Sequence, residues 1–371
     1  MSPADGHRAD SEHMRAALAL ARRGLGSTWP NPSVGCVVVR EGRVVGRGRT
    51  APGGRPHAEP QALAMAGEQA RGATVYVTLE PCCHWGRTPP CTDAMIKAGV
   101  ARVVVALRDP DPRVDGQGAD RLRAAGIEVE ERLLATEAAE LQAGFIWRLQ
   151  QSRPFVTLKL ASTLDGRIAS HGGESQWITG EAARRAAQAM RGSADAILVG
   201  IGTVLADDPQ LTCRISGFRE TKLVRVVVDS HLRMPFVSKL VRGVAEAPVW
   251  ILSRAGGDHA RRDAMRELGV RIFEVRGSNT GVDLPEALKA LAEAGITRLL
   301  VEGGGQVAGS LLRADMVDRV AWFHAGAIMG GDGWPAAQAF GVEHLGSMPR
   351  FRRRRIMELG PDMLSEYERA G

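Results

Sequence analysis

The sequence predicts a two-domain α/β protein, on three observations: its length, an alternation of helical and β-branched segments that starts twice, and a cysteine cluster confined to one half. At 371 residues and 39.7 kDa the chain exceeds the roughly 250–300 residues at which one hydrophobic core stops growing. In the first half, "SEHMRAALALARRG" has an N-cap candidate at Ser11, apolar residues at helical spacing and a terminal glycine at Gly24, so it reads as an amphipathic helix. "SVGCVVVREGRVVGRG" is two β-branched runs about a Glu-Gly-Arg turn, a hairpin. A helix over 57–70, strand "ATVYVTLE", helix over 92–98, strand "ARVVVALRD", helix over 119–125 and strand "IEVEERLL" follow, an alternation that argues an α/β sandwich with a largely parallel sheet.

"ATEAAELQAGFIWRLQQSRP" reads as a helix that ends before Pro154, because the residue before a proline disfavours helical backbone. The boundary is expected near 149–153, giving domains over 1–150 and 151–371. The second alternation then begins with strand "FVTLKLAST", helix "EAARRAAQAMRG" and strands "DAILVGIG", "KLVRVVVDS" and "PVWILS". It continues with a helix over 258–267, strand "VRIFEVRG", helix "LPEALKALAEAG", strand "TRLLVEGG" and further strands near the C-terminus. No repeat or low-complexity tract interrupts it.

With 44% hydrophobic and 24% charged residues the composition is that of a globular protein, and no run of about 18 apolar residues is present to span a bilayer. The N-terminus lacks the charged-then-apolar layout of a secretory signal, so a cytoplasmic location is expected. A net charge of +6 favours anionic ligands, yet the only dense basic run is "RFRRRR", Arg350 to Arg355. Phe351 is its single aromatic residue, too few to stack successive bases, so it reads as a solvated strand or hairpin.

Five cysteines are too few and too unevenly placed for a disulfide framework, and three of them, Cys82, Cys83 and Cys91, fall within ten positions. In a reducing compartment such a cluster reads first as metal binding or catalysis. His57 and Glu59 stand at the start of a helix, and Cys82 follows a strand ending "TLEP". In zinc deaminases one histidine and two cysteines bind the metal while a glutamate that is not a ligand moves protons. Three protein ligands leave one tetrahedral position for water, whose pKa the metal lowers towards ~7. Glu59 then has the task of taking that proton and delivering it to the ring and the departing amine. Cys83 next to Cys82 would cramp the geometry, which makes Cys91 the better third ligand and the pattern P-C-x8-C. The insert "CHWGRTPP" carries His84 and Arg87, two groups able to reach an anionic substrate.

"HAE" and "PCCHWGRTPPC", preceded by "NPSVG" at 31–35, resemble the deaminase domain of the bifunctional riboflavin-biosynthesis deaminase-reductase family. The resemblance covers essentially the whole chain. It implies a cytidine-deaminase-like α/β/α sandwich with zinc on His57, Cys82 and Cys91 and Glu59 as proton donor. Asn31, His84 and Arg87 are placed by it near the pyrimidine and its phosphate. Thr50 stands where members often carry a histidine, seven residues before the zinc histidine.

"LKLASTLDGRIA", "GESQWITG", "GTVLADDPQLTCR" and "VEGGGQVAGSLL" look like the same family's reductase domain, similar in fold to dihydrofolate reductase. Independently, "RLLVE" runs into Gly303, Gly304 and Gly305 and then a helix, which offers backbone N–H groups to a phosphate. The resemblance implies NADPH contacts from Ala161, Trp177, Thr203, Asp207, Ser230, Gly304, Gly305, Gln306, Val307, Ala308, Gly309 and Ser310. It implies reductase substrate contacts from Ser175, Arg191, Leu211, Arg214 and Glu302. Arginine suits that role because its planar fork pairs bidentately with phosphate, although Arg191 also reads as dipole compensation at a helix C-terminus.

The implied reaction is deamination at C2 of 2,5-diamino-6-(ribosylamino)-4(3H)-pyrimidinone 5′-phosphate, followed by NADPH-dependent reduction at C1′ of the opened ribose. A homo-oligomer is expected, with a small phosphorylated pyrimidine as substrate and neither nucleic acid nor membrane as partner. Two alternatives make different demands. A nucleic-acid base deaminase would want an aromatic-lined basic groove, against 5% aromatic residues and two tyrosines here. A structural zinc protein would want a fourth protein ligand, from Cys83 or His84, and would leave Glu59 without a task.

Overall fold

The computed structural model describes residues 3–219, 221–278 and 281–370, with backbone alone over 3–6. The chain divides into two compact units, Met1–Gln151 and Ser152–Gly371. In the first, the order is α1 (Pro3–Gly24), β1 (Gly35–Arg40), β2 (Arg43–Arg49), α2 (Ala58–Ala66), β3 (Thr74–Val77), α3 (Cys91–Ala98), β4 (Arg102–Val105), α4 (Gln117–Ala124), β5 (Glu128–Glu131) and α5 (Ala135–Gln151). The helix expected to begin at Ser11 starts earlier, so Ser11 is an interior residue of α1 rather than its cap. Its hydroxyl-bearing side chain is buried, and the start of α1 lies in a polar stretch where periodicity gives no signal.

The five strands run in the order β2-β1-β3-β4-β5. The expected largely parallel sheet is mixed: β1 pairs antiparallel with both β2 and β3, while β3, β4 and β5 are parallel. The β1–β2 pairing follows from the tight Glu41-Gly42 turn, both residues at positive φ, since two-residue turns join antiparallel strands only. Hydrophobic clusters cover both faces. One joins β1 and β3 residues such as Val38 and Val75 to Ala62 and Leu63 of α2 and Met95 of α3, and the other joins Val37, Tyr76 and Val104 to Met14 and Ala17 of α1 and Leu141 of α5.

Two glycines seat α2. A Cβ at Gly46 would come 2.1 Å from the Ala62 carbonyl oxygen, and one at Gly48 would come 2.2 Å from that of Ala58. Backbone therefore rests on backbone, and the N-terminus of α2, with His57 as its N-cap residue, is held against the sheet.

The second unit comprises β6 (Phe155–Ser162), β7 (Arg167–Ala169), α6 (Glu181–Ser193), β8 (Ala196–Gly200), α7 (Ile201–Asp207), β9 (Val224–Val228), α8 (Lys239–Arg242), β10 (Val249–Arg254), α9 (His259–Glu267) and β11 (Arg271–Val275). It continues through β12 (Gly277–Ser278), β13 (Gly281–Val282), α10 (Leu284–Glu293), β14 (Arg298–Glu302), α11 (Gly305–Arg313), β15 (Arg319–His324), β16 (Trp334–Pro335), β17 (Phe351–Leu359) and β18 (Asp362–Arg369). Nine strands form one sheet in the order β11-β10-β9-β8-β14-β6-β15-β18-β17, parallel from β11 to β15 and antiparallel beyond. The segment expected as one strand through Gly202 turns into α7 at Ile201. The basic run forms much of β17, a solvated hairpin strand at the sheet edge, where Arg355 pairs with Glu366 at 2.6 Å and Arg354 with Glu368 at 3.3 Å. Charged side chains on an edge oppose further strand addition. No helix among the described residues is long and apolar enough to cross a membrane.

Asp10 of α1 ties that helix to the sheet: its carboxylate accepts from Tyr76 Oη at 2.5 Å and from Arg102 Nη2 at 2.8 Å. Burial raises its pKa, but the bonds from Arg102 and Tyr76 outweigh that and leave it below the ordinary 3.8. A lowered carboxyl contributes stability above its ordinary pKa and loses it as pH falls through the lowered value. Asp10→Asn should cost about 1–3 kcal/mol at neutral pH. Melting curves of both proteins should converge as pH falls through the lowered value of Asp10, below which the wild-type carboxyl is protonated too.

Candidate functional site

His57, Cys82 and Cys91 arrive from three elements: the residue before α2, the loop after β3 and the first residue of α3. Their donor atoms all lie within 4.8 Å of one another. His57 Nδ1 stands 3.3 Å from Cys91 Sγ and 3.7 Å from Cys82 Sγ. Ligands around a tetrahedral zinc with bonds of 2.0–2.3 Å lie about 3.5 Å apart, so the spacing fits. The donor set fits as well. The Cys91 thiol, hydrogen-bonded to the other sulfur, pulls Cys82 down to about 4, and the same contact pushes Cys91 up. A divalent cation held by His57, Cys82 and Cys91 would replace the shared proton and keep both sulfurs as thiolates.

Glu59 sits in the first turn of α2 and is only 4% exposed. Burial pushes its pKa up, against the pull of His57. A carboxyl held in that way beside the donor cluster is able to take a proton and give it back. Cys83 points elsewhere, its sulfur 3.6 Å from the Arg113 carbonyl oxygen, and does not join the cluster. Among the described residues, then, three protein donors converge and the fourth tetrahedral position is left to a non-protein ligand.

Asn31 packs on the loop that leads to His57: a Cβ at Gly54 would fall 1.9 Å from its Nδ2. His84 is half-buried with a buried Nδ1 that has no hydrogen-bond partner, whereas Arg87 lies on the exposed part of the insert. Thr50 is buried and spent on structure, its hydroxyl accepting from Val34 N–H at 2.9 Å. Two supporting residues escaped the sequence reading. Arg55 donates to Thr88 Oγ1 at 2.7 Å and stands 3.2 Å from His57 Nε2, so it ties the insert to the histidine. Glu80 accepts from the N–H groups of Asp109, Gly116 and Ala119 at 3.0–3.2 Å, which fixes the loop after β4 beside Cys82. "TLEP" marks Glu80 in the sequence, but its partners lie about thirty to forty residues away.

In the second unit the implied cofactor residues gather where the parallel strands end: Ala161 on β6, Thr203 and Asp207 on α7 after β8, Ser230 after β9, and Gly304 to Ser310 after β14. This is the edge at which open α/β sheets take ligands. Gly303 and Gly304 have φ of 84° and 69°, and a Cβ at Gly303 would sit 3.1 Å from Thr203 Oγ1, so a side chain would fill the cradle. The cradle fits a phosphate group, because the first N–H groups of α11 have no side-chain cap. Gly304, Gln306 and Ser310 reach the surface, whereas Gly305, Val307, Ala308 and Gly309 are buried. A Cβ at Gly305 or Gly309 would strike the carbonyl of Pro335 or Gln338, which assigns those two glycines to packing.

Trp177 is 66% exposed, with the Arg184 guanidinium 4.9 Å above its ring, and Ser175 is half-buried in the same loop. Arg191 gives Nε and Nη2 to Glu302 at 2.8 and 2.9 Å and Nη1 to the Thr212 carbonyl at 3.0 Å, so its fork is occupied within the chain. Lys159, unnoticed in the sequence, is half-buried beside this pair; burial lowers its pKa and Glu302 opposes that. Leu211 has its side chain in the core at a φ of 53°, and Arg214 is exposed.

The chain is similar to proteins of known sequence and structure. The cytidine and deoxycytidylate deaminase zinc-binding region matches residues 7–107, and the RibD C-terminal domain matches 154–365. Riboflavin biosynthesis protein RibD of Aquifex aeolicus is 42% identical over 97% of this chain and 98% of its own length. The chain belongs to the RibD family. The Escherichia coli member is likewise 42% identical, over 95% of this chain and 98% of its own. The solved RibD structure from Acinetobacter baumannii superposes with a TM-score of 0.89 at 37% identity, covering 98% of this chain and 100% of that one. A deaminase/reductase from Thermotoga maritima gives 0.85 at 36%, with the same coverage. The fold is a cytidine-deaminase-like unit followed by a dihydrofolate-reductase-like one. The protein is a bifunctional enzyme of riboflavin biosynthesis, a zinc-dependent deaminase and an NADPH-dependent reductase.

Cys91→Ser should abolish stoichiometric zinc in the purified protein, read by elemental analysis. Glu59→Gln should retain the metal while ammonia release falls by roughly 10²–10⁴. Unchanged deamination in Glu59→Gln would remove that residue from proton transfer.

Proposed function

We propose that the two activities divide between the two units, deamination in the first and reduction in the second. What carries this is the convergence of His57, Cys82 and Cys91 within 4.8 Å beside the buried Glu59. The solved relative from Thermotoga maritima bears the words diaminohydroxyphosphoribosylaminopyrimidine deaminase and 5-amino-6-(5-phosphoribosylamino)uracil reductase, and we assign the same two substrates here.

In the first unit His57, Cys82 and Cys91 hold zinc, which when bound supplies the Lewis acidity that makes water a nucleophile near neutral pH. Water adds at C2 of the pyrimidine, the C–N bond breaks and ammonia leaves. Glu59 takes one proton from the water and gives it to the ring nitrogen, then carries the second, from the hydroxyl now on C2, to the departing amine. Asn31, His84 and Arg87 orient the ring and its phosphate, with Arg55 holding the insert in register.

In the second unit bound NADPH would supply a hydride to C1′ of the opened ribose while the nitrogen of the C1′=N bond takes a proton, which turns the ribosylamino group into ribitylamino. Ala161, Trp177, Thr203, Asp207, Ser230, Gly304 and the first turn of α11 seat the cofactor. Ser175, the Arg191–Glu302 pair, the Leu211 backbone and Arg214 bound the substrate side. Holding the two reactants in contact contributes more to such a step than a strong acid does. The reading also places the enzyme in the cytoplasm as a homo-oligomer, which light scattering on the purified protein tests.

A one-pot assay with the diaminopyrimidinone ribosyl phosphate tests the order of steps. Ammonia should appear without NADPH, and NADPH absorbance should fall only after deamination. Cys91→Ser should abolish both signals with the diamino substrate yet still oxidise NADPH when given the deaminated uracil. NADPH consumption by Cys91→Ser on the diamino substrate would overturn the order.

A further inference from the structure

The implied contacts account for the middle of a dinucleotide better than for its far end. The C-terminal ends of β6, β14, β8, β9 and β10 lie side by side, four strand spacings or about 19 Å in all. Ala161 marks the first of these ends, the glycine cradle with Thr203 the next two, and Ser230 the fourth. The fifth belongs to Arg254, the last residue of β10.

Arg254 lies directly beside Ser230, its N–H donating to the Ser230 carbonyl at 3.4 Å. In parallel strands, residues side by side face the same way. Asp229 and Ser253, one position earlier, are both buried, so Ser230 and Arg254 turn to the opposite, open side. The hairpin of β12 and β13 presses on both. A Cβ at Gly277 would fall 2.5 Å from Arg254 Nε and 2.9 Å from its Nη2, and a Cβ at Gly281 would fall 2.9 Å from Ser230 Oγ. Bare backbone at those two positions leaves room for the guanidinium and for the hydroxyl against the hairpin.

Neighbouring arginines are committed within the chain. Arg276 pairs with Glu286 at 2.8 Å, Arg266 with Glu274 at 3.1 Å, and Arg261 donates to the Met234 carbonyl at 2.8 Å. The Arg254 side chain is exposed and has no hydrogen-bond or ion-pair partner among the described residues. The acid that would accept a free ribose hydroxyl at this strand end is turned inward: Asp229 Oδ2 accepts from Met234 N–H at 2.8 Å. What faces the ligand is a hydroxyl and a free planar cation, a pair suited to a phosphate monoester and not to a bare diol.

We propose that Arg254, with Ser230, binds the 2′-phosphate of the dinucleotide and sets the preference for NADPH over NADH. The inference rests on the reading of the second unit as the reductase. It concerns only the adenosine end, remote from the reacting carbon.

Equilibrium titrations on the full-length protein test it, with NADPH and NADH followed by fluorescence, and adenosine 2′,5′-bisphosphate and AMP by calorimetry. The wild type should bind NADPH at least about tenfold more tightly than NADH, a gap that one charge-assisted pair supplies. Arg254→Ala should lower affinity for NADPH and the bisphosphate by about tenfold or more, leaving NADH and AMP within about twofold. Arg254→Lys should recover part of the loss, because it keeps the charge without the fork. If Arg254→Ala weakens NADH and NADPH alike, or leaves their ratio at the wild-type value, Arg254 does not read the 2′-phosphate. A wild-type protein that binds NADH and NADPH equally well has the reductase site without this selectivity. One that binds neither overturns the reductase reading, and the role of Arg254 with it.

Discussion

Three donor atoms from separate elements must meet within 4.8 Å, and most of the first unit is arranged around that demand. His57 has to end a loop where α2 begins, and Cys91 has to begin α3. Both donors therefore stand at helix N-termini, where the exposed N–H groups and the helix dipole favour negative charge. Thiolates gain from that field, and Cys82 takes a further hydrogen bond from Cys91 N–H at 3.3 Å. Helices can meet so closely only if the sheet holds them at fixed depth. The backbone contact of Gly46 and Gly48 with α2 does this more rigidly than side chains would, since no rotamer intervenes.

The second unit answers a different demand, a long ligand that must lie across several strands. Parallel strands all end on one edge, so the loops after β6, β8, β9, β10 and β14 face one strip. Charge along that strip is handled locally. Arg191 and Glu302 satisfy each other through two hydrogen bonds with little exposure, an arrangement in which removing one partner leaves an uncompensated buried charge. Arg254, further along, has no partner among the described residues. The difference separates a residue that shapes the site from one free to meet a ligand.

Buried polar groups tie the loops of both units in the same manner. Glu80 collects three backbone N–H groups, and Asp195 accepts from Thr297 N–H at 2.7 Å and Arg298 N–H at 2.9 Å. Each satisfies donors that burial would otherwise leave orphaned. Such carboxylates join segments remote in the chain, and for that reason no local pattern identifies them.

Hydrophobic periodicity, turn residues and the His-Ala-Glu and Pro-Cys spacing were enough, from the sequence by itself, to determine two α/β units, most of their helices and strands, and the convergence of His57, Cys82 and Cys91. These signals are local, because a strand, a turn or a helix start is decided within a few residues. The early start of α1, the antiparallel pairing of β1 with β3 and the beginning of α7 inside an apolar run were decided by tertiary packing. The same is true of Arg55 against His57, of the occupied fork of Arg191, and of the glycines that leave room for Arg254 and Ser230. Each depends on the meeting of side chains or backbone from separate segments, and a contact of that kind exists only once the strands between have taken their order in the sheet.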